Sequence, residues 1–432
     1  MKSKGNRGKT GMSVEDVKGL RNRLYRYCEK FNGCMVDRRS HKHLRNYVRG
    51  QISPLKRKNV EQMALETGTP VRTLQEFLSF HRWKEEVAAS RLRGMVQKEH
   101  GDPNAIGVID ETSFKKKGDK TAGVQRQWCG SMGKLENCVV SVHLGLVSGD
   151  FHTFVDGDLF LPEGSWSEDR ERRKEAGIPE EVVYRPKWKI ALDLLKRTLS
   201  DGVEMSWVTA DEAYGRAMEF REGVEDLGLL YVVEIPSNLT GWTQFPKIDP
   251  AGTVLESGYR SRVRRLAPDA KESRPVSDLW ERGGPSWERW LVKETNKGPS
   301  VWEVRESDFY PTLGDYPGEK LRLIIAREVV SGETKYFLSN APEEIPLSDL
   351  LCVAFSRWHI ERVFQDGKGE IGFDHFEVRT YKALIRHLTL SMISFYFLAT
   401  ETERLREKKS GLDDSSGQSG DRESVRSDPL AA

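Results

Sequence analysis

The 432-residue chain has little cysteine, and its five residues, Cys28, Cys34, Cys129, Cys138 and Cys352, form no CxxC pair. That count and spacing exclude a zinc ribbon and argue against a disulfide framework, so a reduced, intracellular setting is expected. Long apolar runs are also missing. A membrane helix needs about 18–20 apolar residues, whereas the longest candidate, Leu388 to Ala399, is shorter and carries Thr389, Ser391 and Ser394. It reads as a buried core helix. The basic stretch MKSKGNRGKTG has no apolar segment behind it, so no secretory signal is expected. Internal repeats are absent, and His41, His43 and the cysteines show no metal-ligand spacing.

Charge is present in both signs but unevenly distributed. Residues 1–100 carry 23 Lys and Arg against 10 Asp and Glu, while the rest carries 45 basic and 56 acidic residues. Such asymmetry points to a polyanion as the partner of the N-terminal quarter, although a solvated basic face would give the same count.

Residues 1–12 read as a flexible basic arm and 13–100 as helical, with Val17, Leu20, Leu24, Tyr27 and Phe31 on one stripe. Val60 to Gly68 reads as a short helix closed by glycine. Thr69 and Pro70 then supply an N-cap and a first-turn proline for a second helix, Val71 to Phe80. Helix, glycine turn and helix is the outline of a helix-turn-helix, with Arg72, Lys56, Arg57 and Lys58 as phosphate or base contacts. An ordinary helical hairpin has the same outline.

After Pro103 the pattern becomes strand-like. Ala105 to Ile109 is an apolar run ending in Asp110, and strands at Val124–Cys129, Val139–Val147 and Phe151–Leu161 suggest a meander. A helix near Lys187–Leu199 leads to a strand, Met205–Ala210, that ends at Asp211. A helix near Ala217–Leu227 and a strand at Leu229–Ile235 close the segment 101–236. Residues 237–346 read as a β-rich insertion that holds five of the eleven tryptophans. Its last two strands, Leu321–Val329 and Tyr336–Asn340, are joined by a hairpin turn at Val330-Ser-Gly-Glu. Helical periodicity returns over 347–407, and 408–432, rich in Ser, Asp and Gly, should be disordered.

Three acids stand out by position. Asp110 and Asp211 end strands, where catalytic and metal-binding groups collect at the open edge of a sheet. Glu361 lies on a helix after the insertion. Two strand-borne aspartates can bridge hard cations, and a helical glutamate can complete a site. Arg357 and Lys368, one turn before and two turns after Glu361, fall on its helix face. A solvated Arg–Glu pair would have the same spacing.

These residues carry a resemblance. The blocks Gly107-Val-Ile-Asp-Glu-Thr-Ser113, Thr209-Ala-Asp-Glu-Ala-Tyr-Gly215 and Arg357-x3-Glu361-x6-Lys368 resemble those of DDE transposases of bacterial insertion sequences, over about Ile106 to Leu398. The family also has a tyrosine three residues before the arginine, where this chain has Ala354. The resemblance implies an α/β fold: an RNase H-like mixed sheet flanked by helices, with an all-α N-terminal DNA-binding domain and a β-rich insertion before the third acid. It implies Asp110, Asp211 and Glu361 as the catalytic, metal-binding triad, with two Mg2+ ions that Mn2+ can replace. The expected partners are double-stranded DNA (terminal inverted repeats and target) and a second copy of the chain on DNA, in a cytoplasmic, nucleoid-associated setting.

Lys115 and Lys116, just past the first acid, are further candidates for gripping the DNA backbone, though an exposed turn would look the same. Tyr214 and Gly215 are expected to shape the site, Gly215 through a tight turn. Trp287, Trp290 and Trp302 are candidates for stacking on an unpaired base, or else form the core of the β module. Glu111 and Glu212, beside the triad aspartates, are expected to point away from the site. A catalytically dead DNA-binding derivative, a nuclease without strand transfer and a structural nucleoid protein are the competing readings.

Overall fold

Apolar runs after Ala105 build the centre of the molecule. The computed structural model describes residues 14–254, 256–257, 259–279, 286–295 and 298–415. The expected arm at 1–12, Trp280 and the stretch 416–432 lie outside these residues. Strand β1 (Ile106–Lys115) is the hub. Antiparallel to it runs β3 (Lys134–Ser148), whose outer edge takes both β2 (Gln125–Cys129) and β4 (Phe151–Phe160). On its other side β1 pairs in parallel with β5 (Trp207–Ala210), and β5 with β6 (Leu230–Ile235). Helices α6 (Arg170–Glu175) and α7 (Lys187–Ser200) connect the antiparallel and parallel halves, and α8 (Glu212–Gly215) and α9 (Met218–Glu225) connect β5 to β6, as parallel neighbours require a crossover.

The strands after β6 continue the sheet. After β7 (Thr240–Trp242), strands β8 (Glu288–Thr295), β9 (Gly298–Leu313), β10 (Leu321–Glu328) and β11 (Thr334–Ser339) form a meander whose last strand pairs antiparallel with β6. Among the described residues the result is one mixed sheet of thirteen strands flanked by helices. The turn between β10 and β11 holds Gly332 at φ 75°, the left-handed conformation a hairpin turn favours.

Among the described residues five α-helices precede the sheet: α1 (Val14–Glu29), α2 (Arg38–Gln51), α3 (Val60–Thr67), α4 (Val71–Ser79) and α5 (Glu85–His100). Gly68 closes α3 at φ 66°, so the helix–turn–helix outline is present. Its entry differs from expectation. Pro70 occupies the N-cap of α4, and the Thr69 hydroxyl instead meets Asn46 and Thr67.

These helices wrap the long α12 (Tyr381–Ser415) and share its core. The Tyr27 hydroxyl donates to the carbonyl of Ile393 at 2.6 Å. Ser391 and Ser394, which interrupt the apolar run in the sequence, both hydrogen-bond the buried Gln51. Arg386, fully buried, donates to Glu85 and to the carbonyls of Phe77, Leu78 and Trp83. Leaving any of these groups unpaired would cost about 1–3 kcal/mol. By length and composition the stretch Tyr381–Glu407 could cross a membrane, contrary to the reading that no segment could. Its most apolar window is 78% buried inside the fold, as a core helix should be. The helix also continues past Lys408 to Ser415, so the expected start of the disordered tail falls inside it.

The helical region expected over 347–407 comprises three helices. Helix α10 (Leu347–Ser356) and α11 (Trp358–Ile371) meet at Arg357, and Gly372 at φ 66° ends α11. The segment 372–380 then crosses to α12.

Candidate functional site: a carboxylate cleft

The parallel register brings the first two acids together. Ile109 pairs with Ala210, so Asp110 and Asp211 are the next residues on adjacent strands. Strand β5 ends there, whereas β1 does not. It continues to Lys115 against β3, so Asp110 lies mid-strand at the point where its parallel neighbour stops. The polar Glu111-Thr-Ser stretch hides this continuation in the sequence.

Each aspartate is held. One Asp110 oxygen accepts from the amide of Glu111 at 2.7 Å, and the other lies 3.4 Å from Arg357. Asp211 caps α8 (Glu212–Gly215), accepting from the amides of Ala213 and Tyr214. Burial, followed by the charge of Asp211, pushes Asp110 up to about 8. Asp211 is raised as well, first by burial and then by Glu111. Two adjacent carboxylates in a partly dry site create a demand for positive charge.

Arg357 meets part of that demand. From the α10–α11 junction its guanidinium reaches Asp110, Glu361 at 2.9 Å and Glu234 of β6 at 3.8 Å. Glu361 is 59% exposed on α11 and faces the cleft with Phe364, Gln365 and Lys368. Lys368 is partly desolvated, and its ammonium is lowered first by that burial. Asp110, Asp211, Glu361 and Lys368 thus line one cleft, while Arg357 bridges two of the acids. Among the described residues no three metal-ligating side chains are already gathered close enough to hold an ion. The donor set nonetheless fits a hard divalent cation: the acids offer oxygen only, and the two partly buried aspartates repel each other.

Glu111 departs from expectation. The pleat does turn it to the other face of β1, yet it lines the cleft mouth, accepting from the Tyr214 hydroxyl at 2.8 Å and from the Lys187 ammonium. It thereby ties the strand bearing Asp110 to the turn bearing Asp211. No spacing in the sequence links Glu111 to Lys187, so this pairing is not legible there. Glu212 is exposed and absent from the cleft lining, as expected. Gly215 is needed for close approach rather than for a turn, since a Cβ there would lie 1.9 Å from the carbonyl oxygen of Glu234.

The basic candidates divide. Lys56, Arg57, Lys115 and Lys116 line one groove with Lys117, Lys120 and Arg379, joining the α2–α3 loop to the far end of β1. Arg57 pairs with Glu377 and Lys115 with Glu136, both at the surface. Lys116 donates to the carbonyl of Phe376 and lies over its ring, and burial lowers it to about 8. Arg72 is exposed on α4 and pairs with Glu76. Lys58 does not join them. It is buried, and its ammonium donates to the carbonyls of Gln51 and Glu370 at the C-terminal ends of α2 and α11, where a cation is favoured.

The insertion tryptophans divide between the two readings. Trp302 is buried against Phe355, ring centroids 4.9 Å apart, so it is core and cannot stack on a base. Trp287 is half-buried between Arg305 and Arg327, and Trp290 is half-buried opposite Trp302.

Residues 30–298 match the family described as DDE superfamily endonuclease. The match spans Asp110 and Asp211 and stops before Glu361. A protein of Microchaete diplosiphon described as "Probable transposase for insertion sequence element IS701" is 35% identical over 257 residues, 59% of this chain. The aligned part spans 63% of that relative's length.

Proposed function

The chain belongs to the DDE superfamily of endonucleases, and from that premise we propose that it is a transposase. It would cleave DNA at the terminal inverted repeats of an insertion sequence and join the freed 3′-hydroxyl ends to target DNA. The fold reading that accompanies this is RNase H-like, with β4-β3-β1-β5-β6 as the catalytic sheet and α1–α5 as the DNA-binding part. The observation that carries it is the pairing of Ile109 with Ala210, which sets two partly buried carboxylates side by side, facing Glu361 across a cleft that also holds Lys368.

Asp110, Asp211 and Glu361 would hold Mg2+, as two ions, with Mn2+ able to substitute. Such ions, when bound, lower the pKa of a water and stabilise charge on a leaving phosphate-ester oxygen. The chain's own groups do the rest. Arg357 and Lys368 neutralise the scissile phosphate and fix its orientation; Arg357 exchanges its carboxylate partners for that phosphate. Tyr214 and Lys187 hold Glu111, and through it the turn that carries Asp211. Lys56, Arg57, Lys115, Lys116 and Arg72 neutralise the flanking backbone, which makes affinity salt-dependent. In joining, the 3′-oxygen forms a bond to the target phosphorus, and the target's own 3′-oxygen leaves. Two ends must be held together, so a homodimer on DNA, within the nucleoid, follows from the reading.

Joining separates this reading from that of a nuclease. A pre-cleaved DNA end with a free 3′-hydroxyl, incubated with a target plasmid and Mg2+, should be joined by the wild type and not by Glu361→Gln. Water-dependent nicking with no joined product would leave a nuclease and refute the transposase.

A further inference from the structure

Among the tryptophans described, Trp128 is the most exposed, at 59%. It lies on β2, and its cross-strand neighbour Leu135 is exposed to the same extent. Met132, in the connecting turn, is also open to solvent. Large apolar side chains grouped on one hairpin call for an explanation that a single exposed residue does not.

The register places this platform relative to the acids. Asp110 is opposite His143, and Trp128 is opposite Leu135, an even number of residues along β3 from His143. Residues directly opposite across antiparallel strands share a face, so the indole and the Asp110 carboxyl lie on one side of the sheet. Trp128 lines the cleft along with Asp110, Asp211, Glu361 and Lys368. The platform is firmly mounted. Val124, just before β2, and Cys129, its last residue, are fully buried, and the Cys129 thiol meets Ser113 of β1. On and beside the hairpin itself Lys115, Arg126 and Lys134 are exposed against Glu136, so the rim of the cleft at Trp128 is basic although the cleft beyond it carries the carboxylates.

We propose that Trp128 is a stacking platform for an unpaired base of the DNA strand held in the carboxylate cleft, a role that rests on the DNA-processing reading above. An indole beside cations accepts any base on its face while the backbone follows the positive rim. A duplex keeps its bases stacked inside, so the platform serves a strand end or an opened base pair next to the scissile phosphate. The basic rim favours a polyanion over an apolar protein surface as occupant.

The test uses the full chain with two probes: a blunt DNA duplex, and the same duplex with a short single-stranded 3′ overhang containing 2-aminopurine. The wild type should bind the overhang more tightly and quench the fluorescent base. Trp128→Ala should lose about tenfold or more in overhang affinity, the size of a single base–aromatic stack, with blunt-duplex affinity unchanged. Trp128→Phe should keep most of the preference. Equal binding of both probes by the wild type, or an undiminished preference in Trp128→Ala, overturns the proposal. A wild-type dimer that becomes monomeric in Trp128→Ala with the overhang preference intact also overturns it, in favour of a protein contact. Failure of the wild type to bind either duplex would refute the DNA-processing reading itself.

Discussion

Replacing Asp110 by asparagine should change how the metal-free protein responds to pH. The Asp110 side chain is only 15% exposed, and burial with the neighbouring Asp211 pushes its carboxyl up to about 8 from an ordinary 3.8. Between those values the native state retains a proton that the unfolded chain has released. The stabilising contribution is therefore complete below about pH 4 and is lost as pH rises through about 8. The slope is about 1.4 kcal/mol per pH unit, or on the order of 3–4 kcal/mol between pH 5 and pH 8. Asparagine has no proton to lose, and titrating groups remote from the cleft contribute equally to both proteins. Urea unfolding in EDTA at the two pH values should show wild type losing that amount relative to Asp110→Asn. Adding Mg2+ at pH 8 should restore the wild type and leave the variant unchanged, since a bound cation stabilises only the state that holds it. Parallel pH slopes in the two proteins would refute the reasoning.

Lys58→Ala should lower stability by about 1.5–3 kcal/mol, because the Gln51 and Glu370 carbonyls lose a charged donor. Thermal melting reads this, and DNA affinity below the melt should be unaffected. Lys56→Ala and Arg57→Ala should do the reverse, leaving the melt in place while reducing the slope of log affinity against log salt by about 0.9 for each phosphate no longer neutralised. Gly215→Ala should cost about 1–3 kcal/mol in urea unfolding, since its Cβ must displace the Glu234 backbone. The same change should reduce DNA cleavage through the displaced Asp211 turn.

Local signals are legible where the physics is local. The Ala105–Ile109 run, the Gly68 turn and the hairpin at Gly332 each declare an element through apolar content or left-handed glycine. The adjacency of Asp110 and Asp211 is readable because both follow short apolar runs. Non-local pairings are not. The insertion's union with the sheet depends on β11 meeting β6, about a hundred residues earlier in the chain. Lys58 lies inside a Lys-Arg-Lys triplet, yet only its neighbours reach the surface, because two helix ends converge on its ammonium. Trp302 and Trp128 cannot be told apart by composition, and only the sheet decides which is covered. Strand alternation by itself turns Glu111 away from the site. The alternation holds, but Tyr214 and Lys187 approach from the face to which it turns.

The most direct test of the central claim is cleavage of genomic DNA spanning the boundary of the chain's own element, in Mg2+, by wild type and Asp211→Ala. The account predicts metal-dependent nicking at the boundary by the wild type, and none by a variant that still binds the DNA. Binding without cleavage by the wild type in Mg2+ or Mn2+, or equal cleavage by both proteins, would contradict it.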